Sequence, residues 1–208
     1  KITSRAQQEW SRARKNTTPE TFLPWLDKVV SITDEIATIL CEEGQSKYDA
    51  LMDEYERGAT SKNLDGVFDS LKGELVPLIA AIKEAGQPVE NLLAQCQFPI
   101  DKQKALNDHM LKVIGFNFDH GRIDESEHPF TTNFHPTDVR LTTRYDTRNI
   151  IDSLFSTLHE GGHGLYEQGL PVATAGTPLS EAVSLGIHES QSRFWENCIG
   201  RSAQFWYV

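Results

Sequence analysis

Within LFSTLHEGGHGLYEQ (residues 154–168) two histidines, His159 and His163, stand four apart, and Glu160 follows the first. On a helix this spacing puts both imidazoles on one side, one turn apart, where neutral nitrogens can converge on a single ion such as zinc. Glu160 sits one residue off that row, placed to take a proton from water activated by the ion. The row runs back through Phe155 and Ile151, which predicts histidines pointing inward from an apolar face. Gly161, Gly162 and Gly164 each cost a helix up to about 1 kcal/mol relative to Ala. A helix that carries all three predicts close approach of another backbone or of a substrate.

A tetrahedral catalytic site needs a third protein ligand and one open position. The arrangement with a third histidine six residues after His163 is excluded, because that position is Gly169. Glu167, Glu181, His188, Glu189 and Glu196 remain as candidates. Thr177-Pro178 predicts the start of a second helix, over about 178–198, with Val183, Ile187 and Phe194 on one stripe. Glu181 then suits the first turn as a surface acid favoured by the helix dipole. His188 and Glu189 fall in mid-helix, where a polar side chain facing the core needs a partner or a metal. Spacing does not choose between them.

These residues need elements to position them, and most of the chain reads as helix. Thr18-Pro19 is a start signal, followed by Phe22, Leu26, Val29, Val30, Ile36 and Leu40 at helical spacing. A second stripe runs Val67, Phe68, Leu71, Leu75, Leu78, Ile79 and Ile82 and stops before Gly86-Gln87-Pro88; a third carries Leu106, Met110 and Val113 and ends at Gly115. All three predict core packing. Val139, Leu141, Thr143 and Tyr145 alternate with Arg140, Thr142 and Arg144, and with Phe130–Phe134 they predict a short antiparallel β-pair over about 130–145. The histidine helix follows over about 148–168, with Asp146 or Thr147 as its cap. No repeat or linker interrupts this order, so one continuous, mainly α domain over 1–208 is expected.

Thirty acids against 20 bases give a net charge of −10, which argues against nucleic acid or an anionic membrane as the main partner. Cys41, Cys96 and Cys198 are odd in number, widely spaced and lack a CxxC pair, so buried or free thiols in a reducing cytoplasm are expected. No apolar run approaches a membrane span, and no signal peptide is recognisable. The chain starts at Lys1 and ends on the aromatic run before Val208, which reads as a piece of a longer protein.

HEGGH (159–163), HESQ (188–191) and DVRLT (138–142) together resemble the HExxH, HES/GQ and DxRxT motifs of the thermostable carboxypeptidase Taq family of zinc metallocarboxypeptidases. The likeness extends through DESEHPFTTNFHP, SLGIHESQSRFWEN and the N-terminal PWLDKVV and YDALMDEYERG. It implies a helical, gluzincin-like metallopeptidase with Zn2+, for which Co2+ can substitute, held by His159, His163 and Glu189. Glu160 is then general base and acid. The resemblance also implies that Asp138, Arg140 and Thr142 lie near the site, where Arg140 either holds site or substrate or serves as a structural ion-pair partner. His188 and Gln191 are implied to orient the ligands. The substrates implied are peptides with a free C terminus, and the assembly implied is a homodimer of the full-length protein. The family's further IRxxAD and GxxQDxHW motifs do not occur here, so this chain is expected to bind zinc yet be inactive alone, the grip on the substrate carboxylate lying elsewhere. The competing expectations are a related zinc endopeptidase or oligopeptidase, and a non-catalytic helical scaffold retaining a structural zinc.

Overall fold

Hydroxyl and amide caps set where most of the helices begin. In the computed structural model, whose described residues are 1–86, 93 and 95–207, contacts divide the chain into two compact units, Lys1–Gln87 and Pro88–Val208. The sequence had led to the expectation of one continuous unit. The first unit holds α1 (Ile2–Asn16), α2 (Leu23–Leu40), α3 (Lys47–Asp53) and α4 (Ser61–Ala85). Ser46 accepts from the Asp49 amide to cap α3, and Thr60 accepts from the Asn63 amide to cap α4. Thr18-Pro19 opens only a 3₁₀ turn, Pro19–Thr21, and α2 starts beyond it with Pro24 in its first turn. Helix α4 stops at Gly86, whose φ of 59° is left-handed; Gln87 and Pro88 lie outside the described residues.

The stripes of α2 and α4 do not form the core expected of them. Leu26, Val30, Ile36 and Leu40 of α2 are exposed, as are all seven stripe residues of α4 from Val67 to Ile82. Periodicity establishes which face of a helix is apolar, not what covers it.

The second unit contains α5 (Ile100–Val113), a three-stranded sheet, α6 (Ile150–Gln168) and α7 (Leu185–Arg193). The strands are β1 (Gly121–Glu125), β2 (Thr131–His135) and β3 (Asp138–Thr143), in the order β1-β3-β2. Strands β2 and β3 form the expected antiparallel pair, with Thr131 opposite Leu141. Strand β1 adds a parallel partner to β3, with Ile123 opposite Leu141. The core joins Val139 and Leu141 of β3 to Leu111 of α5 and Leu154 and Leu158 of α6.

Helix α6 packs against β3, α5 and α7, and each close approach falls at a glycine. A Cβ on Gly161 would meet Leu111 and Ile114 side chains at 2.8 Å. On Gly164 it would meet Phe116 and Leu141, and on Gly162 the backbone of Gln191 and Ser192 at 2.7–2.8 Å. The cap of α6 is Asn149, whose side chain accepts from the Asp152 amide, rather than Asp146 or Thr147. The second helix begins later than expected. Thr177 makes no side-chain cap and opens only the 3₁₀ turn Pro178–Ser180, whereas Ser184 accepts from the Ile187 amide and starts α7. Beyond Arg193 the helix widens into a π turn, Phe194–Ile199. No described helix is long and apolar enough to cross a membrane.

Candidate metal centre

The row Ile151, Phe155, His159 meets the core only at its edge, where Phe155 packs against the buried cluster while Ile151 is exposed. It lines a cavity of about 490 Å³, while Leu154, Leu158 and Gly161 form the buried side of α6. His159 and His163 keep 19% and 16% of their side chains exposed, so they border solvent while remaining mostly covered. A second cavity, of about 450 Å³, opens beside His163 and His188. His128, Pro129, Glu160 and Glu189 line both cavities.

Glu189 on α7 brings Oε2 to 3.5 Å from His159 Nε2 and 3.4 Å from His163 Nε2. One ligand atom from each of the three residues falls within 4.8 Å of the others. Donors bonded to one tetrahedral zinc at about 2.0–2.2 Å stand roughly 3.4 Å apart, so this donor set fits such an ion and leaves a fourth position open. Burial, reinforced by the neighbouring His188 and His159, pushes the His163 imidazole down to about 4. At neutral pH it therefore offers a lone pair, as a ligand must.

Each histidine uses Nδ1 for a second partner. His159 Nδ1 lies 3.0 Å from Glu196 Oε2, and Glu196 is itself held by Arg201 at 2.9 Å and Arg193 at 3.2 Å. His163 Nδ1 meets His188 Nδ1 at 2.5 Å, and His188 Nε2 meets Glu167 Oε1 at 2.7 Å. Arg193 Nε donates to Glu189 Oε1 at 2.8 Å, so the other oxygen is the one turned toward the histidines. Burial works to raise the Glu189 and Glu196 carboxyls, but Arg193 and His159 at the first, and Arg201, His159 and Arg193 at the second, outweigh it. Both end below the usual range.

Glu160 behaves differently. It is 6% exposed, and burial raises its carboxyl above the usual value against the pull of Thr131, His159 and His128. Thr131 of β2 donates to Glu160 Oε2 at 2.6 Å, which leaves Oε1 as the oxygen free for proton transfer. A carboxyl raised in this way, bordering both cavities, is suited to general acid–base work.

The remaining residues singled out from sequence do not join the three converging donors. Asp138 and Arg140 bind each other through two hydrogen bonds of 2.9 and 2.8 Å, and Arg140 sits 4.8 Å over the Phe134 ring. Neither lines the two cavities beside the histidines. Thr142 is buried and anchors the 126–130 loop, accepting from the Phe130 amide at 2.9 Å and bonding the Ser126 hydroxyl at 2.7 Å. Gln191 lines a different cavity with Leu165, Tyr166 and Trp195. Glu181 is exposed and borders a third cavity, lined also by Glu167 and His188. Glu167 and Glu196, weighed above only as ligands, instead hold imidazole nitrogens, and Thr131, Arg193 and Arg201 were missed altogether. A signal existed for the role of the two glutamates. Glu167 continues the His159–His163 row by one more turn, and Glu196 stands two turns beyond Glu189.

Over residues 1–208 the chain matches the family model described as carboxypeptidase Taq (M32) metallopeptidase. It is 40% identical to carboxypeptidase 1 of Bacillus subtilis over 99% of this chain, and 40% identical to thermostable carboxypeptidase 1 of Thermus thermophilus over 98%. It spans 41% of the length of each of these curated relatives. Among solved structures, "BsuCP Crystal Structure" superposes with a TM-score of 0.94 at 40% identity, covering 99% of this chain and 41% of that one. The M32 carboxypeptidase from Deinococcus radiodurans R1 gives 0.84 at 38% identity, with the same coverage. With the HExxH helix, the downstream glutamate and this match along its whole length, the chain belongs to the carboxypeptidase Taq (M32) metallopeptidase family.

Proposed function

We propose that this chain supplies the metal-binding and acid–base portion of a zinc carboxypeptidase that removes the C-terminal residue of peptides. The observation that carries the reading is the convergence of His159 Nε2, His163 Nε2 and Glu189 Oε2 beside the buried carboxyl of Glu160. These three residues would hold the ion, Zn2+ by donor type with Co2+ as a substitute, and the ion would supply a Lewis acid for the scissile carbonyl and its attacking water. Glu160 takes the proton on Oε1 while Thr131 occupies Oε2, and then returns it to the leaving amine. Glu196 and His188 hold the Nδ1 sides of the two histidines, so both imidazoles keep Nε2 toward the site. Groups that grip the substrate's α-carboxylate lie, on this reading, in the part of family proteins that this chain does not span. The same reading makes the working protein a homodimer acting on peptides with a free C terminus. The free thiols of Cys41 and Cys198 suit a reducing cytoplasm.

The test uses a full-length family protein carrying this segment, assayed on paired peptides with free and amidated C termini. Amidation is expected to abolish cleavage; undiminished cleavage of the amidated peptide would overturn the exopeptidase reading in favour of an endopeptidase. Glu160→Gln is expected to lower kcat by about 10²–10⁴-fold with one zinc per chain retained.

A further inference from the structure

Glu167 is the next residue on the histidine row of α6, one turn beyond His163, and it is only 7% exposed. Its two oxygens are both engaged. Oε1 lies 2.7 Å from His188 Nε2, and Oε2 accepts from Asn133 Nδ2 of β2 at 2.5 Å. His188 in turn presents Nδ1 to His163 Nδ1 at 2.5 Å, and the far nitrogen of His163, Nε2, faces Glu189 Oε2 at 3.4 Å. At His159 a carboxylate touches Nδ1 directly, through Glu196 at 3.0 Å. At His163 an imidazole stands between the acid and the ligand, so the orientation of the ligand nitrogen is set at one remove.

We propose that Glu167 is a positioning residue that acts through His188 to fix which nitrogen of His163 carries the proton. The inference rests on the zinc reading above for its purpose, and on donor and acceptor arithmetic for its content. A carboxylate only accepts, so the 2.7 Å contact places the proton of His188 on Nε2. Neutral His188 then has a bare Nδ1, which accepts. Only an Nδ1–H on His163 can satisfy it, and that leaves the lone pair of His163 on Nε2, aimed at Glu189 and the ligand set. Asn133 serves the same end by tethering the second oxygen of Glu167. Each of the two metal-facing histidines thus has its tautomer set by an acid, one directly and one through a relay.

The experiment reads imidazole tautomers in the 208-residue chain by ¹⁵N NMR near pH 8.5, where imidazoles are neutral, with and without Zn2+, and measures Zn2+ affinity by chelator competition. In the metal-free wild type, His188 is expected as the Nε2–H form and His163 as the Nδ1–H form. Glu167→Met removes the acceptor at similar volume and is expected to give mixed tautomers at both residues, with Zn2+ affinity about 10- to 100-fold lower. Glu167→Gln keeps an amide oxygen for His188 and is expected to retain the wild-type tautomers, with affinity within about threefold. The inference is overturned if Glu167→Met leaves the tautomers and the affinity unchanged. It is overturned equally if wild-type His188 carries its proton on Nδ1, a reading that does not depend on any variant folding. A wild type that shows the expected tautomers but takes up no Zn2+ would sustain the relay and defeat the zinc reading instead.

Discussion

Adding one methyl group at Gly162 should loosen the metal centre without touching any ligand. A Cβ there would stand 2.7 Å from Ser192 Cα and 2.8 Å from the Gln191 carbonyl oxygen. Favourable carbon–carbon contact begins near 3.5 Å, so the backbone of α7 must retreat by about 0.8 Å. Both contacts are backbone atoms, and no side-chain rotation relieves them. Glu189 stands one turn before Ser192 on the same helix, and metal–ligand distances tolerate only about 0.2 Å. Gly162→Ala is therefore expected to weaken Zn2+ binding by about 10- to 100-fold. Overpacking costs about 1–3 kcal/mol, offset by up to about 1 kcal/mol of helix propensity, which leaves a net loss of about 1–2 kcal/mol. Gly161→Ala is the control. Its Cβ meets only the side-chain ends of Leu111 and Ile114 at 2.8 Å, which can rotate away, so Zn2+ affinity should stay within about twofold and stability within about 1 kcal/mol. Chelator competition and urea unfolding measure both quantities. Equal Zn2+ affinity in the two variants would refute the argument that the α6–α7 approach at Gly162 sets the position of Glu189.

Glu189→Gln should lose Zn2+ while Glu160→Gln keeps it, because only the first removes a converging donor; metal analysis after dialysis separates them. Leu158 is fully buried, so Leu158→Ala should cost about 2–5 kcal/mol in urea unfolding. Asp49 accepts from both the hydroxyl and the amide of Ser61, and these bonds hold its carboxyl below the ordinary 3.8. A depressed acid stabilises fully above its unfolded value and loses that contribution as pH falls through the folded one. Amide protection at Ser61 should thus hold down to about pH 4 and fall off below it, and in Asp49→Asn that acid step should be absent; an unchanged step would reassign it.

The HExxH helix was legible because its signal is local. His159, Glu160 and His163 need only one turn of helix to come together, and α6 runs over nearly the span that the pattern predicts. Glu189 and His188 could not be separated by spacing, since adjacent helical positions differ by about 100° and the start of α7 was placed at the wrong cap. A cap is decided by whether the hydroxyl actually reaches an amide, which Ser184 does and Thr177 does not. Strand β1 was illegible for a different reason. GRIDE offers one apolar residue, and its place comes from a parallel partner, β3, well over ten residues away. Helix α1 buries only Ala6 and Ala13, residues too small to mark a stripe. In α4 the stripe was legible and its burial was not, because exposure depends on what lies opposite rather than on the helix itself.

The glycines of HEGGHG and its titratable residues belong to one device. Gly161 lets α5 close on α6, Gly162 admits the backbone of α7, and Gly164 admits Phe116 and Leu141. The first closes the core, and the other two deliver the side chains that surround the histidines. Helix α7 brings Glu189 to the histidines and His188 to His163, and its π turn carries Glu196 to His159. The sheet under Gly164 carries Thr131 to Glu160 and Asn133 to Glu167. A helix of alanines at these three positions would be more stable in isolation by up to about 3 kcal/mol. It would also hold its neighbours several tenths of an ångström too far away for three donors to meet on one ion. The helix forgoes intrinsic stability where that loss brings Glu189, Thr131 and Asn133 within reach of His159, His163, Glu160 and Glu167.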